Sequence, residues 1–465
     1  MPIINYVLKY YNRVPISIIN VVAPVYHLMP EAVRFTPTFV KERDWIKRIH
    51  QMTQEELHRE EEKCLKRLVC YAYEHTEYYR ELFNKNNINP REINTVKDIE
   101  KIPFLTKELL LENRDRMISD EFGKKELVYI TTSGSTGVPT GFYVQKDSHI
   151  RDLAYTFDFF GKYGYNTKSS KLMLRGKVFR EQKRGKIYQW DAIKKELSIN
   201  IFDMTPQNME IYCRAIEKYK PDVAYGYMSA MYMLCKYIAG RKRKVEHQFK
   251  CFIGISEVIT GEQKQFVEDI IHAPVLTFYG MSERVIIAKQ LHESEEYIPE
   301  PLYGITELID KEGKVITKNG VDGELVGTSL LNYGMPLIRY RTGDISSWAG
   351  KNRLANVSGR WKHDLLVGRD HCGISMTALN MHSEVFKYIE RYQILQDKCG
   401  EAYIYIVPSK EFKEEYQQEI VRQFNEKTGG QIIFSVKVVE KINPNSNGKF
   451  PLVKQCLDLT QELRL

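Results

Sequence analysis

No segment of this 465-residue sequence is long and apolar enough to span a bilayer. The most apolar stretch, Pro15 to Met29, is broken by Pro15 and Pro24, and no secretory leader pattern precedes it. A packed N-terminal arm is expected there. With Lys9, Arg13, Arg34 and Lys41 flanking it, the most the arm offers a membrane is peripheral association. Cysteine is sparse: eight residues, no CxxC pair and no His/Cys cluster at metal-ligand spacing. A disulfide scaffold is thereby excluded, zinc finds no support, and reduced thiols in a cytoplasmic protein are expected. Long Gly, Ser, Pro or Gln tracts are missing, as is any repeat of solenoid period. Charge is modest, with 68 Lys+Arg against 60 Asp+Glu leaving +8. Such a balance suits small anionic ligands. The densest basic run, Arg241-Lys242-Arg243-Lys244, stands alone rather than in aromatic-interleaved stripes. It reads as a solvated helix end, and no nucleic-acid partner is expected.

What remains is a globular composition, 43% hydrophobic and 28% charged, with mean hydropathy −0.42. The length exceeds one ordinary core, so at least two packed units are expected. From Thr53 to Phe83 the pattern is helical, with Leu57, Cys64, Leu65, Leu68 and Ala72 inward. Lys85–Leu111, interrupted by Pro90 and Pro103, reads as a loop with short helices. A strand at Glu126–Thr131 runs into a glycine-rich turn, and a helix carrying Ile150, Leu153, Ala154, Phe157 and Phe160 follows. The middle alternates strands (Asp222–Tyr227, Cys251–Ile255, Pro274–Tyr279) with helices (Ala230–Ile238, Glu262–Ile271). That alternation predicts a mainly parallel sheet flanked by helices. Glu324–Leu331 and Pro336–Tyr340 read as β structure. Beyond Gly359, strands Glu401–Val407 and Gln431–Val439 flank a helix at Lys413–Lys427 with Tyr416, Ile420, Val421 and Phe424 inward. The predicted class is α/β. A large N-terminal domain with a β subdomain spans 1–358, and a small α+β domain spans 359–465.

Five polar motifs punctuate this plan. Thr131-Thr132-Ser133-Gly134-Ser135-Thr136-Gly137-Val138-Pro139 has two glycines for a tight turn and hydroxyls and N–H groups to present to polyphosphate. It is not a Walker A loop, because no Lys follows Gly137 and Phe142–Gln145 reads as a second strand. The bland alternative is a Ser/Gly hairpin turn. Tyr279-Gly280-Met281-Ser282-Glu283 ends the last parallel strand, where open α/β sheets bind ligands. There an aromatic ring covers a purine face and a carboxylate holds Mg²⁺, although a strand-end Tyr-Gly is more often structural. In Arg339-Tyr340-Arg341-Thr342-Gly343-Asp344, the carboxylate suits ribose hydroxyls and an adjacent guanidinium suits phosphate, the alternative being a turn with Arg and Asp paired. Gly359-Arg360-Trp361-Lys362-His363-Asp364 falls at the inferred joint. Asn443-Pro444-Asn445-Ser446-Asn447-Gly448-Lys449 is a polar loop carrying one lysine. Each has an ordinary structural account on its own. Their order does not.

In that order the five motifs resemble the adenylate-forming superfamily of acyl-CoA synthetases, luciferases and peptide-synthetase adenylation domains. The likeness is strongest to the phenylacetate–coenzyme A ligase branch and to its relatives in capsular polysaccharide biosynthesis, and runs from about Tyr79 to Leu452. The resemblance implies ATP and Mg²⁺ as cofactors, a small carboxylic acid as substrate, and an acyl-AMP intermediate passed to an acceptor. That acceptor is the thiol of coenzyme A, or alternatively an amine or sugar hydroxyl. A non-catalytic nucleotide-binding relative is a further alternative. By resemblance, Ser133, Gly134, Ser135, Thr136 and Gly137, with Thr132, hold the β- and γ-phosphates. Tyr279, with Gly280 and Met281, takes the adenine, and Ser256 and Glu257 take its edge. Ser282 bonds the α-phosphate, Glu283 binds Mg²⁺, Asp344 holds the ribose, and Arg360 lies near the nucleotide. Lys449 is the catalytic lysine, and Lys362 is the hinge of a mobile C-terminal domain. Two departures stand out. Thr140 replaces a lysine common in the family, and Arg369-Asp370-His371-Cys372 replaces a glycine stretch that serves transfer to coenzyme A.

Overall fold

The computed structural model describes residues 11, 13–123, 125–132, 140–176, 178–241, 246–257, 259–357, 365–376, 379, 383–443 and 452–462. The first expected helix is two. Thr53 opens Gln54–His75 with a reciprocal capping box to Glu56, and Cys64, Leu65, Leu68, Val69 and Ala72 are its buried face. At Thr76 the backbone turns extended. Its hydroxyl donates to the Ala72 carbonyl and accepts from the Tyr79 N–H, which starts a second helix, Glu77–Lys85. At the N-terminal arm, Pro15 precedes a helix at Ile16–His27 that continues through Pro24. Pro24 lies on the exposed side, so the lost rung costs the packed face nothing.

Strands β1 (Leu127–Thr132) and β2 (Thr140–Gln145) form an antiparallel pair, with Thr132 opposite Thr140. The main sheet comprises β3 (Lys171–Leu174), β4 (Tyr188–Asp191), β5 (Glu196–Ile199), β6 (Val223–Gly226), β7 (Phe252–Gly254), β8 (Val275–Gly280), β9 (Ile287–Gln290), β10 (Tyr297–Pro299), β11 (Gly304–Ile309), β12 (Asp322–Ser329), β13 (Tyr340–Gly350) and β14 (Arg353–Leu354). Their spatial order is β11-β12-β13-β14-β10-β9-β8-β7-β6-β3-β5-β4. The block β5-β3-β6-β7-β8 is parallel, with helices Pro206–Tyr219, Met228–Gly240 and Gly261–Ile271 in its connections. From β8 onward the same sheet continues antiparallel, so the expected β structure is continuous with the parallel block. Pro336–Tyr340 is not a strand except at its last residue. Pro336 has no N–H to give a ladder, and Arg339 adopts φ +52, so the chain turns into β13 only at Tyr340.

Toward the C-terminus, β15 (Leu365–Val367) and β16 (Gly373–Ser375) form a hairpin. β17 (Ile389–Lys398), β18 (Glu401–Pro408), β19 (Ile433–Val438) and β20 (Val453–Gln455) form a separate sheet in the order β19-β18-β17-β20. Two of these strands, β17 and β20, were not legible in the sequence. Helix Glu415–Thr428 packs on this sheet through Ile420 and Phe424, the latter ring 4.9 Å from Phe434. Tyr416 and Val421 are only half-buried. This region packs against the turn after β5, where the Cys372 thiol reaches the Phe202 carbonyl at 3.5 Å.

Candidate active site

The carboxyl ends of the parallel strands meet in register: Leu174 pairs with Gly226, Gly226 with Gly254, and Gly254 with Thr277. Tyr279 and Ser256 each lie two residues beyond the Gly254–Thr277 pair and emerge side by side. Gly226 is required here, since with φ +149 a Cβ would sit 2.0 Å from the Leu174 carbonyl oxygen. Ser256 takes φ +60, and the carboxylate of Glu257 turns back on helix Met228–Gly240. It accepts from the Ser229 N–H at 2.8 Å and the Ser229 hydroxyl at 2.9 Å, capping a helix whose own N-cap, Tyr227, makes no side-chain capping bond.

Two separated motifs converge at this edge. The Tyr279 phenol donates to Asp344 Oδ2 across 2.8 Å, and the Tyr340 phenol donates to Glu283 Oε1 across 3.3 Å. Thr342 Oγ1 donates to the Leu325 carbonyl and accepts from the Asp344 N–H, fixing the turn that carries Asp344. Burial, reinforced by the Asp344 charge, raises the pKa of Glu283 from the ordinary carboxylate range; Tyr340 and Lys107 act in the opposite direction. Burial and Asp344 likewise keep Tyr279 protonated, so it remains a donor. A buried carboxylate facing a second carboxylate is an oxygen donor set suited to a hard divalent cation, whose charge would reverse the pressure on Glu283.

The two arginines of the third motif are engaged in the scaffold, which counts against the expectation that an adjacent guanidinium serves phosphate. Arg339 is buried and forked onto Glu307, with Nη2 to Oε1 at 2.8 Å and Nε to Oε2 at 3.2 Å. Its Nη1 donates to the Glu100 and Ile102 carbonyls. Arg341 pairs with Glu324, and neither arginine pairs with Asp344. Gly280 is exposed, while Met281 and Ser282 are partly buried. The Ser282 carbonyl accepts from Arg284, which also binds Asp152 at 2.8 Å. The side chain of Thr132, and Ser133, Gly134, Ser135, Thr136, Gly137, Arg360, Lys362 and Lys449, lie outside the described residues, as does the expected domain joint.

Several participants had no sequence signal. Lys107, at the start of helix Lys107–Asn113, comes near Glu283 from a segment read as loop. Arg175, just past β3, hydrogen-bonds Tyr227. Lys427 reaches the same region from helix Glu415–Thr428, and burial together with Arg175 lowers its ammonium to about 8. Long-range folding also assembles His371, Cys399 and Glu462, which no local spacing revealed. There the His371 ring already bonds the Glu462 carbonyl at 2.9 Å and the Cys399 thiol the Gly368 carbonyl at 3.0 Å, so the cluster is held together without an ion.

Residues 366–456 match the family model described as the CapK C-terminal domain. Over 462 residues, 96% of this chain and 98% of the relative, the sequence is 23% identical to Protein CapK of Staphylococcus aureus. Over 345 residues, 69% of this chain and 74% of the relative, it is 26% identical to the phenylacetate-coenzyme A ligase of Aromatoleum evansii. A solved structure of 2-hydroxyisobutyryl-CoA ligase, in complex with 2-HIB-AMP and CoA in the thioesterification state, shares the fold. Its TM-score is 0.54 at 17% identity, over 87% of this chain and 91% of that one. Together these similarities support membership of the adenylate-forming ligase superfamily, on the branch of the phenylacetate–coenzyme A ligases and CapK.

Proposed function

We propose that this protein joins a small carboxylic acid to the AMP moiety of ATP, releases pyrophosphate, and passes the acyl group to an acceptor. The observation that carries this reading is the convergence of Tyr279, Asp344, Tyr340 and Glu283 at the carboxyl edge of the parallel block. Tyr279 offers its ring to adenine while its hydroxyl orients Asp344 for the ribose hydroxyls. Ser256 and Glu257, on the neighbouring strand end, flank the base. Ser282 bonds the α-phosphate, the loop joining β1 to β2 takes the β- and γ-phosphates, and Arg360 lies beside the nucleotide. Glu283 would hold Mg²⁺, which supplies neutralisation of the charge that develops on the phosphates. In the first step a carboxylate oxygen bonds to the α-phosphorus and the bond to pyrophosphate breaks. Lys449 stabilises the crowded, charged transition state. In the second step the acceptor's nucleophile bonds to the acyl carbon, AMP leaves with the electron pair, and the acceptor loses a proton. Residues 359–465 act as a mobile domain that brings Lys449 to the site and withdraws it.

Coenzyme A is the acceptor used by the phenylacetate–coenzyme A ligase relatives. One observation departs from the coenzyme A pattern and keeps an amine or sugar acceptor as the second reading. The Arg369-Asp370-His371-Cys372 segment is a closed hairpin turn, with the Gly368 N–H bonded to the Cys372 carbonyl at 2.8 Å and the Arg369 N–H to the Gln431 carbonyl at 2.7 Å. It is therefore pinned to the C-terminal sheet rather than shaped as a glycine track. ATP–pyrophosphate exchange over aryl, fatty, amino and uronic acids, followed by mass spectrometry with coenzyme A or amino sugars added, tests both readings. Acid-dependent exchange is expected. Retained ATP binding without exchange for any acid would make the protein a non-catalytic relative.

A further inference from the structure

The helix Ile16–His27 is apolar over most of its surface and covered on one side. Its inner face, Ile19 and Ala23, packs with Val14 and Ile193 in a small cluster of its own. Asn20 fastens it to both sides of the Trp190–Ala192 backbone, and His27 bonds the Ala192 carbonyl at 2.8 Å. The outer face presents Ile18, Val21, Val25 and Leu28, three and four residues apart and so in one stripe. Val21 is 77% exposed and Leu28 85%, and Val33 continues the patch just beyond. A helix apolar all round is ordinarily buried all round, and a contiguous exposed patch marks a contact surface.

The charge on the helix itself has one sign, and the carboxylates beside it are paired. The first thirty residues contain no Asp or Glu. Arg13 is exposed at the helix start, and Arg34 holds the Met29 carbonyl at its end. Lys186 is exposed and lines, with Ile16, a cleft of ≈ 330 Å³ beside the helix. The neighbouring carboxylates are engaged: Glu31 by Arg43 and Thr167, Asp191 by Tyr11, and Glu181, which lines the same cleft, by Arg184. We propose that this stripe lies on an anionic lipid surface, with Ile18, Val21, Val25 and Leu28 entering the acyl boundary and Arg13, Arg34 and Lys186 facing lipid phosphates. A second copy fits the stripe less well, because apposed copies bring the same cations together, whereas a phosphate surface attracts them. The inference is independent of the reaction.

Co-sedimentation of the full chain with phosphatidylcholine vesicles, with and without phosphatidylglycerol, tests it. Binding is expected to require the anionic lipid and to weaken at high salt. Val21→Ser/Leu28→Ser should lower vesicle affinity at least roughly tenfold, and Arg13→Glu/Lys186→Glu should abolish the preference for anionic lipid. Both should leave thermal stability and pyrophosphate exchange unchanged, which separates surface loss from misfolding. Equal binding of wild type to neutral and anionic vesicles, or serine variants that bind like wild type, would overturn the proposal. So would a concentration-dependent dimer, lost in Val21→Ser/Leu28→Ser, in a protein that ignores vesicles.

Discussion

The Tyr279 hydroxyl reaches Asp344 Oδ2 across 2.8 Å and so ties the end of β8 to β13, 65 residues away in sequence. In the proposed nucleotide complex this bond orients the carboxylate for the ribose hydroxyls. Asp344→Ala should therefore raise the KM for ATP in pyrophosphate exchange by about 10- to 100-fold, the range expected for one or two hydrogen bonds to a charged group. Tyr279→Phe keeps the ring and removes only the orienting bond, so a rise below about tenfold is expected. An unchanged KM in Asp344→Ala removes that residue from nucleotide binding.

Glu283 is the candidate metal ligand because burial and the Asp344 charge both resist its ionisation. A bound divalent cation would relieve both. Glu283→Gln should show a large loss of exchange rate at limiting Mg²⁺ that is partly recovered as Mg²⁺ is raised. A loss independent of Mg²⁺ would assign Glu283 to the scaffold with Tyr340.

The sequence showed the parallel strands β6, β7 and β8 because they are short apolar runs between amphipathic helices. It singled out Tyr279 and Asp344, whose side chains meet at 2.8 Å, because their motifs are local and ordered. Arg339 was misread for a physical reason. Its partner Glu307 lies 32 residues away on β11, and nothing local distinguishes a guanidinium forked onto a buried carboxylate from one open to phosphate. Removing either member of such a pair strands a buried charge, typically at a cost of about 3–5 kcal/mol, so its main role is in stability. Lys107, Arg175 and Lys427 escaped for the same reason: their neighbours, Glu283, Tyr227 and Arg175, come to them through tertiary packing, without a motif of their own. The strands β9 to β11 were also missed, since antiparallel strands of three to six residues leave little periodicity to detect.

Glu300 provides a pH prediction outside the site. It is 3% exposed, its Oε1 has no hydrogen-bond partner, and burial with the Asp158 charge raises its pKa to about 7 against the partial relief of Lys289. His50 stands 3.9 Å away. Because the folded pKa lies above the unfolded value, the unfolded chain releases this proton first, and stability falls as pH rises from about 4.5 to about 7. Above that window the folded state bears the full cost of the buried charge, on the order of 3 to 4 kcal/mol. Glu300→Gln should raise Tm at pH about 8 and have little effect near pH 4. An equal Tm change at both pH values would show that ionisation of Glu300 is not responsible.

The last prediction separates the two half-reactions through Lys449 and Lys362. Lys449→Ala should cut acid-dependent exchange by at least roughly 100-fold, the magnitude of one lost transition-state contact. ATP binding should weaken far less, because the ground state carries little of the charge this lysine meets. If Lys449 must leave after the first step, a few residues around Lys362 have to absorb the rotation of the C-terminal domain. Proline fixes φ near −65° and removes an N–H, so Lys362→Pro should hinder that swing. Lys362→Pro is therefore expected to keep much of the exchange and lose most transfer to the acceptor, whichever nucleophile that is. Limited proteolysis should cut the free enzyme near residues 357–364, more slowly with ATP and acid present. Survival of both half-reactions in Lys362→Pro would place the hinge elsewhere. Loss of both in a folded protein would mean that the joint builds the first site, and that domain alternation plays no part.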